Sequence, residues 1–145
     1  MNKASKKTML IGIVLVIVLA LSASVAFAAT GSYSGYTYKF KDLYSTKSLT
    51  KTGTGHGCFN VTKYGDGEDS DTAMGYCDFW LEFENGARIT DKAQAGKKVG
   101  KTTLRYDGTP SYYKGTSMFL CISTSLSTLN RQYAAGKWSP DNVTL

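Results

Sequence analysis

Apolar and polar residues alternate with a period of two along most of the chain, and the clearest case is residues 76–84. The apolar face of that segment carries Cys77, Phe79, Leu81 and Phe83. Successive side chains of a β-strand point to opposite faces, so this alternation predicts a half-buried strand. No long window shows the three-to-four-residue apolar spacing of an amphipathic helix. The pattern therefore predicts an all-β fold.

Weaker patterns predict further strands. They lie at residues 36–41, 59–64, 87–90, 99–106, 117–124 and 132–138. The charged, glycine-containing segment 65–71 predicts the loop of a hairpin that joins strands 59–64 and 76–84. Asn85-Gly86 and residues 107–110 predict tight turns. About six or seven short strands separated by turns indicate a small antiparallel β-sandwich, with a small barrel as the alternative.

The first 28 residues have the pattern of an export signal. Three lysines precede an apolar run at residues 9–21, and residues 26–28, Ala-Phe-Ala, give the small-x-small pattern that signal peptidase cleaves. We expect cleavage between Ala28 and Ala29, which leaves residues 29–145 as one secreted, extracellular domain. An uncleaved membrane anchor is the alternative, because a stretch of about 20 residues can span a bilayer. After cleavage no stable membrane span is expected.

Export changes the interpretation of the charge. The chain carries 17 basic and 11 acidic residues, a net charge of +6, but three lysines and no acidic residue lie in the predicted signal. The mature net charge would be +3, and an extracellular location argues against nucleic acid as the partner. A basic segment would instead favour a cell-envelope polymer or an anionic membrane surface, unless it is simply a solvated face. Its candidate residues are Lys97, Lys98, Lys101 and Arg105.

All ten tyrosines and both tryptophans follow the predicted signal. Trp80 lies on the polar face of its predicted strand, while Tyr112 and Tyr113 follow a predicted turn. Exposed Tyr and Trp side chains give rigid, amphipathic contact area, so these three residues are candidates for surface binding. For Trp80 an equal alternative is packing under a second sheet or a covering loop.

Three cysteines, Cys58, Cys77 and Cys121, lie in the predicted secreted domain. An oxidising compartment favours one disulfide and leaves one thiol over. Cys58 and Cys77 flank the predicted hairpin and close the shortest loop, so they are the first pair, with Cys121 as the alternative partner. A bulge would be needed to bring the first pair to one face.

The acidic loop offers a weak metal candidate. Its carboxylates belong to Asp66, Glu68, Asp69 and Asp71. Calcium binds clustered carboxylate oxygens, but the spacing does not match an EF-hand loop, and a solvated loop is favoured. No cofactor is expected.

An enzyme would use one of two residue sets. Cys58 could act as a nucleophile with His56 as its base, or Asp78, Glu82 and Glu84 could supply the paired carboxylates of a glycosidase. In the first set the base would lie in a flexible glycine-rich loop and the thiol would more readily form a disulfide. For the second set the sequence supplies no cause of the raised pKa that one carboxylate requires. A non-enzymatic protein is therefore favoured, and a secreted hydrolase of envelope polymers is the alternative.

Two short motifs carry a resemblance. Residues 79–86, Phe-Trp-Leu-Glu-Phe-Glu-Asn-Gly, and residues 136–141, Gly-Lys-Trp-Ser-Pro-Asp, resemble small secreted proteins of Gram-positive bacteria that have no assigned function. A weaker resemblance, in size, export and β character, is to bacteriocins of the lactococcin 972 type. The resemblance implies a secreted β-sandwich that is bacteriocin-like or binds the cell envelope. It assigns no functional residue.

Overall fold

The computed structural model describes residues 28–37, 43–44, 47–65, 76–95, 100–124 and 131–145. This part of the chain is all-β, as the alternation predicts, with nine strands and one short 3-10 helix. Within it, no helix has the length and apolar character needed to cross a membrane. Several predictions fall outside the described residues. These concern the signal segment 1–27, Lys97, Lys98, Asp66, Glu68, Asp69 and Asp71.

The strands follow one another in short segments. In chain order they are β1 Gly31–Thr37, β2 Leu43–Tyr44, β3 Leu49–Thr50, β4 Gly57–Gly65, β5 Cys77–Glu82, β6 Ala93–Ala95, β7 Thr102–Leu104, β8 Ser117–Thr124 and β9 Gln132–Ser139, with the 3-10 helix Pro110–Tyr113 between β7 and β8. The bounds of β8 are those predicted from its continuous apolar run. β5 ends two residues earlier than predicted, because the chain turns at Phe83–Gly86.

The described strands form two antiparallel sheets. One has the order β1-β9-β4-β7, and the other has the order β2-β8-β5-β6 with β3 also paired to β8. β4 and β5 therefore lie in different sheets, and the predicted hairpin between them is wrong. Alternation identifies each strand, but it does not choose the partner. The partner of β4 is β9, which lies far along the chain and covers most of its length.

The two sheets share one core. Phe59 of β4 stacks on Phe79 of β5 with ring centroids 4.2 Å apart, and Tyr33 of β1 meets the edge of Phe79 at 5.9 Å. Both phenylalanines are fully buried, and burying a side chain of that size stabilises the fold by roughly 1.5–3 kcal/mol. Leu81 is buried with them on the face that the alternation in β5 assigns to the core.

None of the three cysteines, all of which are described, forms a disulfide bond, so the predicted pairing is wrong. Cys58 pairs with Ser139 at one end of β9. The thiol of Cys77 contacts Thr37, which pairs with Gln132 at the other end of β9. Seven residues of strand separate these ends, roughly 23 Å. The strand pairing therefore places the Cys58 and Cys77 thiols near opposite ends of β9, too far apart to form a disulfide.

Register also excludes the alternative partner, Cys121, as a partner of Cys77. It pairs with Trp80 across β5 and β8, whereas Cys77 pairs with Thr124. Three residues along a strand correspond to about 10 Å, beyond the roughly 7 Å that a disulfide allows between Cα atoms. Cys121 is a fully buried thiol, as its position in an apolar run predicts.

Candidate functional site

The 3-10 helix Pro110–Tyr113 carries the most exposed aromatic side chain of the described residues. Tyr112 is 83% exposed. Pro110 fixes the start of the helix, and the Tyr112 N–H donates to the Thr109 carbonyl at 3.1 Å. The neighbouring Tyr113 hydroxyl donates to the Asp107 carbonyl at 2.6 Å. Tyr113 thus anchors the turn while Tyr112 projects into solvent, and both were predicted as surface candidates.

Tyr113 belongs to a row of aromatic rings that we call the aromatic row: Phe83, Tyr113, Tyr106 and His56. Tyr113 stacks on Tyr106 with centroids 4.8 Å apart, and Tyr106 stacks on His56 at 6.4 Å. On the other side, Phe83 lies 6.2 Å from Tyr113. Tyr106 is buried, and its hydroxyl donates to the Pro140 carbonyl at 2.8 Å. The row therefore ties the exposed helix to the core.

An open groove of about 410 Å³ lies at the outer end of the aromatic row. It is lined by Phe83, Glu84, Asn85 and Ser117. The turn that forms one wall is fixed by backbone hydrogen bonds from Gly86 to Phe83 at 3.0 Å and from Phe83 to Ala87 at 3.0 Å. Gly86 has a φ of +80°, which glycine adopts without strain, as the Asn85-Gly86 pair predicts.

Among the described basic residues, Arg105 and Lys114 adjoin the aromatic row in sequence, whereas Lys101 lies at the far end of β7. Lys101 and Arg105 are exposed on either side of β7, and Lys114 is exposed after the 3-10 helix. Arg105 precedes Tyr106 of the aromatic row. The structure thus brings Arg105 and Lys114 to the same region as Tyr112, although it shows nothing of the predicted pair Lys97 and Lys98.

Trp80 is buried rather than exposed, so its prediction as a surface contact is wrong and the covered alternative holds. It is 4% exposed, its indole N–H donates to the Glu82 carboxylate, and the Lys92 ammonium lies 4.3 Å from the ring centroid. These polar partners explain why an aromatic residue is stable on the face of β5 opposite the core.

The same contacts argue against a carboxylate pair. Glu82 is buried and already accepts the hydrogen bond from Trp80. Glu84 lies beyond the end of β5, in the exposed turn. Within the described ranges there is no group of three or more His, Cys, Asp or Glu residues that could hold a metal ion.

His56 and Cys58 are close in sequence but have different partners. The His56 Nδ1 accepts a hydrogen bond from the Tyr106 N–H at 3.2 Å. The Cys58 thiol donates to the Asp141 carbonyl at 3.1 Å. No hydrogen bond joins the two side chains in the described part of the chain, so the geometry does not support a nucleophile activated by its base.

A buried ion pair lies behind the aromatic row. The Lys51 side chain is 0% exposed, and its ammonium donates to the Asp141 Oδ1 at 2.8 Å, to the Pro140 carbonyl at 3.1 Å and to the Gly55 carbonyl. The same ammonium lies 4.8 Å from the centroid of the Tyr106 ring. All three ammonium protons therefore have acceptors, which is what a stable buried lysine requires.

The carboxylate of Asp141 is equally well satisfied. It accepts hydrogen bonds from the backbone N–H groups of Thr52 and Gly53, both at 2.9 Å. Burial alone would raise the pKa of Asp141, but the hydrogen bond from Lys51 and the two backbone donors outweigh burial and hold the pKa below its ordinary value. The pair fastens the glycine-rich loop to the C-terminal segment, so its role is structural.

No protein-family model and no curated protein matches this chain. The resemblance to small secreted Gram-positive proteins and to lactococcin 972-type bacteriocins stays a prediction.

Sequence reasoning missed both the groove and the ion pair. Phe83 was assigned to the core face of a longer strand, and only its position two residues before Asn85-Gly86 indicates that it belongs to a turn. No sequence pattern marks Lys51 as buried, and lysine is rarely buried in proteins. Its partner Asp141 lies in the second resembling motif but 90 residues away, and no local pattern connects them.

Proposed function

We propose that this protein is a small β-sandwich that is exported after cleavage at Ala28 and binds cell-envelope polymers without catalysing a reaction. The binding surface comprises the 3-10 helix Pro110–Tyr113 and its flanking basic residues. The observation that carries the proposal is Tyr112, an aromatic side chain 83% exposed on a turn that Tyr113 holds in place. An exposed tyrosine offers a partner rigid contact area with an apolar ring and a polar hydroxyl.

The physical argument concerns rigidity and charge. A tyrosine loses little conformational entropy on binding, and here the backbone of its helix is already fixed at Thr109 and Ser111. Exposed Arg105 and Lys114 add long-range attraction to anionic groups of an envelope polymer, which raises the rate of encounter. The buried and already bonded Glu82 and Cys58 support the non-enzymatic form of the proposal.

Retention on purified cell walls tests the proposal. The mature chain, residues 29–145, should bind walls at low salt and elute as salt rises. Tyr112→Ala should weaken retention by about tenfold, the effect of removing a central aromatic contact. Tyr76→Ala is the matched control, because Tyr76 is also exposed (55%). It precedes the first residue of β5, whereas Phe83 of the aromatic row follows the last. The Tyr76 variant should bind like the unchanged protein.

Two results would overturn the proposal. One is absence of retention even at low salt, and the other is equal retention of the Tyr112 and Tyr76 variants. A growth-inhibition assay on related bacteria with the mature protein then separates a bacteriocin-like role from binding alone.

A further inference from the structure

We propose that the groove lined by Phe83, Glu84, Asn85 and Ser117 is a binding site for a neutral saccharide segment. This inference rests on the proposed function, since it names the part of an envelope polymer that the protein holds. It concerns a different set of residues from Tyr112 and the basic side chains.

The lining has the chemistry that a sugar ring requires. Phe83 is half-buried and supplies an aromatic face, against which the C–H face of a sugar packs. Around it stand a carboxylate from Glu84, a carboxamide from Asn85 and a hydroxyl from Ser117. These groups accept and donate hydrogen bonds, and sugar hydroxyl groups do both. Three of the four lining residues are polar, a composition that suits a ligand rich in hydroxyl groups better than an apolar one.

Two of the three polar groups, those of Asn85 and Ser117, are held in place before any ligand binds. The Asn85 Oδ1 accepts a hydrogen bond from the Ala87 N–H at 3.1 Å, which fixes the carboxamide while its Nδ2 can still donate. The Ser117 hydroxyl lies 2.9 Å from the Thr50 hydroxyl, across the pairing of β3 with β8. Preorganised groups lose less entropy when a ligand binds.

The charge of the lining selects a neutral occupant. Glu84 is the one ionisable residue among the groove's four lining residues, and its exposed carboxylate would repel phosphate or uronate groups. The basic residues that attract anionic groups, Arg105 and Lys114, are not part of the lining. An envelope polymer would thus place an uncharged sugar unit in the groove and its anionic groups beside the 3-10 helix.

The size and position of the groove agree with a polymer segment. Its volume of about 410 Å³ lies at the small end of the roughly 300–1,000 Å³ range of ligand sites. The groove is open, so a chain can continue beyond it. The ring centroid of Phe83 lies 6.2 Å from that of Tyr113, so the groove adjoins the aromatic row next to the 3-10 helix.

Titration of the mature protein with two soluble tetrasaccharides tests the proposal. The probes are a tetramer of N-acetylglucosamine, which is neutral, and a tetramer of galacturonic acid, which is anionic. We expect the neutral tetramer to bind at least tenfold more tightly, with amide NMR shifts concentrated at Glu84, Asn85 and Ser117. Phe83→Leu keeps an apolar side chain against the core but removes the aromatic face, and it should weaken binding about tenfold.

Glu84→Gln is the complementary variant. It retains hydrogen-bonding atoms but removes the charge, so it should bind the neutral tetramer within about threefold of the unchanged protein and narrow the preference over the anionic one. Binding unaffected by Phe83→Leu, shifts located elsewhere, no binding of the neutral tetramer, or equal binding of both tetramers would overturn the groove proposal. Wall retention that depends on Tyr112 would still stand in those cases, so the two proposals fail separately.

Discussion

At the scale of single residues, the Lys51–Asp141 ion pair gives the most specific prediction about stability. Removing one partner leaves a buried charge without compensation, which costs about 3–5 kcal/mol. We expect Lys51→Met to lower the free energy of unfolding by that amount in urea denaturation. The exposed Lys101→Met is the matched control and should change it by less than about 0.5 kcal/mol. Equal stability of the two variants would show that the buried pair does not stabilise the fold.

The pH dependence of the same pair gives an independent check. The hydrogen bonds from Lys51 and the loop hold the folded-state pKa of Asp141 below its ordinary value of about 3.8. The carboxylate therefore contributes stability above about pH 4, and that contribution is lost as the pH falls toward the folded-state value. Asp141→Asn should flatten the stability profile below about pH 4, and an unchanged acid limb would contradict the assignment.

At the scale of strands, Gly136 lets three strands of one sheet lock together. β9 lies between β1 and β4, and Gly136 pairs with Tyr33 on one side and Val61 on the other. The Tyr33 hydroxyl donates to the Asn60 carbonyl at 2.7 Å, so its ring crosses β9 over the glycine. A Cβ at residue 136 would lie within van der Waals overlap of both the Asn60 carbonyl oxygen and the Tyr33 ring.

Gly136→Ala should therefore destabilise the domain strongly. Overpacking costs about 1–3 kcal/mol, and loss of the Tyr33 hydrogen bond adds about 1 kcal/mol. Gly100→Ala is the control, since a Cβ there meets no atom of the described residues within 4 Å. Thermal melting of both variants measures the difference, and a melting temperature for Gly136→Ala near that of the control would refute this account of β9.

The pairing of β9 also shows which features of the fold the sequence can predict. Alternation located β5 and most of β4, and a continuous apolar run located β8. Neither pattern shows that β4 pairs with β9, since that pairing depends on a close approach at Gly136 that no local pattern encodes. The same limit applies to the site. The exposure of Tyr112 could be predicted from the turn that precedes it. The predicted exposure of Trp80 was wrong, because a residue on the polar face of a strand is exposed only if no other segment covers it.

At the scale of the whole molecule, the fold is held by packing and strand pairing rather than by a covalent cross-link. β9 connects the two ends of the domain: its Ser139 hydroxyl donates to the Ala29 carbonyl at 2.7 Å, next to the predicted cleavage site. The core aromatic stack and the Lys51–Asp141 pair then join the sheets and loops without any disulfide. A domain held together in this way keeps its fold under reducing conditions.

Thiol labelling tests that statement on the intact domain. All three cysteines are buried, and burial raises the pKa of the Cys77 thiol, which keeps it in the unreactive protonated form. Without reductant, the native protein should react slowly with an alkylating reagent, and the denatured protein should take up three labels by mass. Lys101→Cys supplies an exposed thiol that should react at once and shows that the reagent is active. Two labels fewer in the denatured, unreduced protein would mean that a disulfide had formed, and the melting temperature would then fall on reduction. A domain held by packing alone should melt at the same temperature with and without reductant.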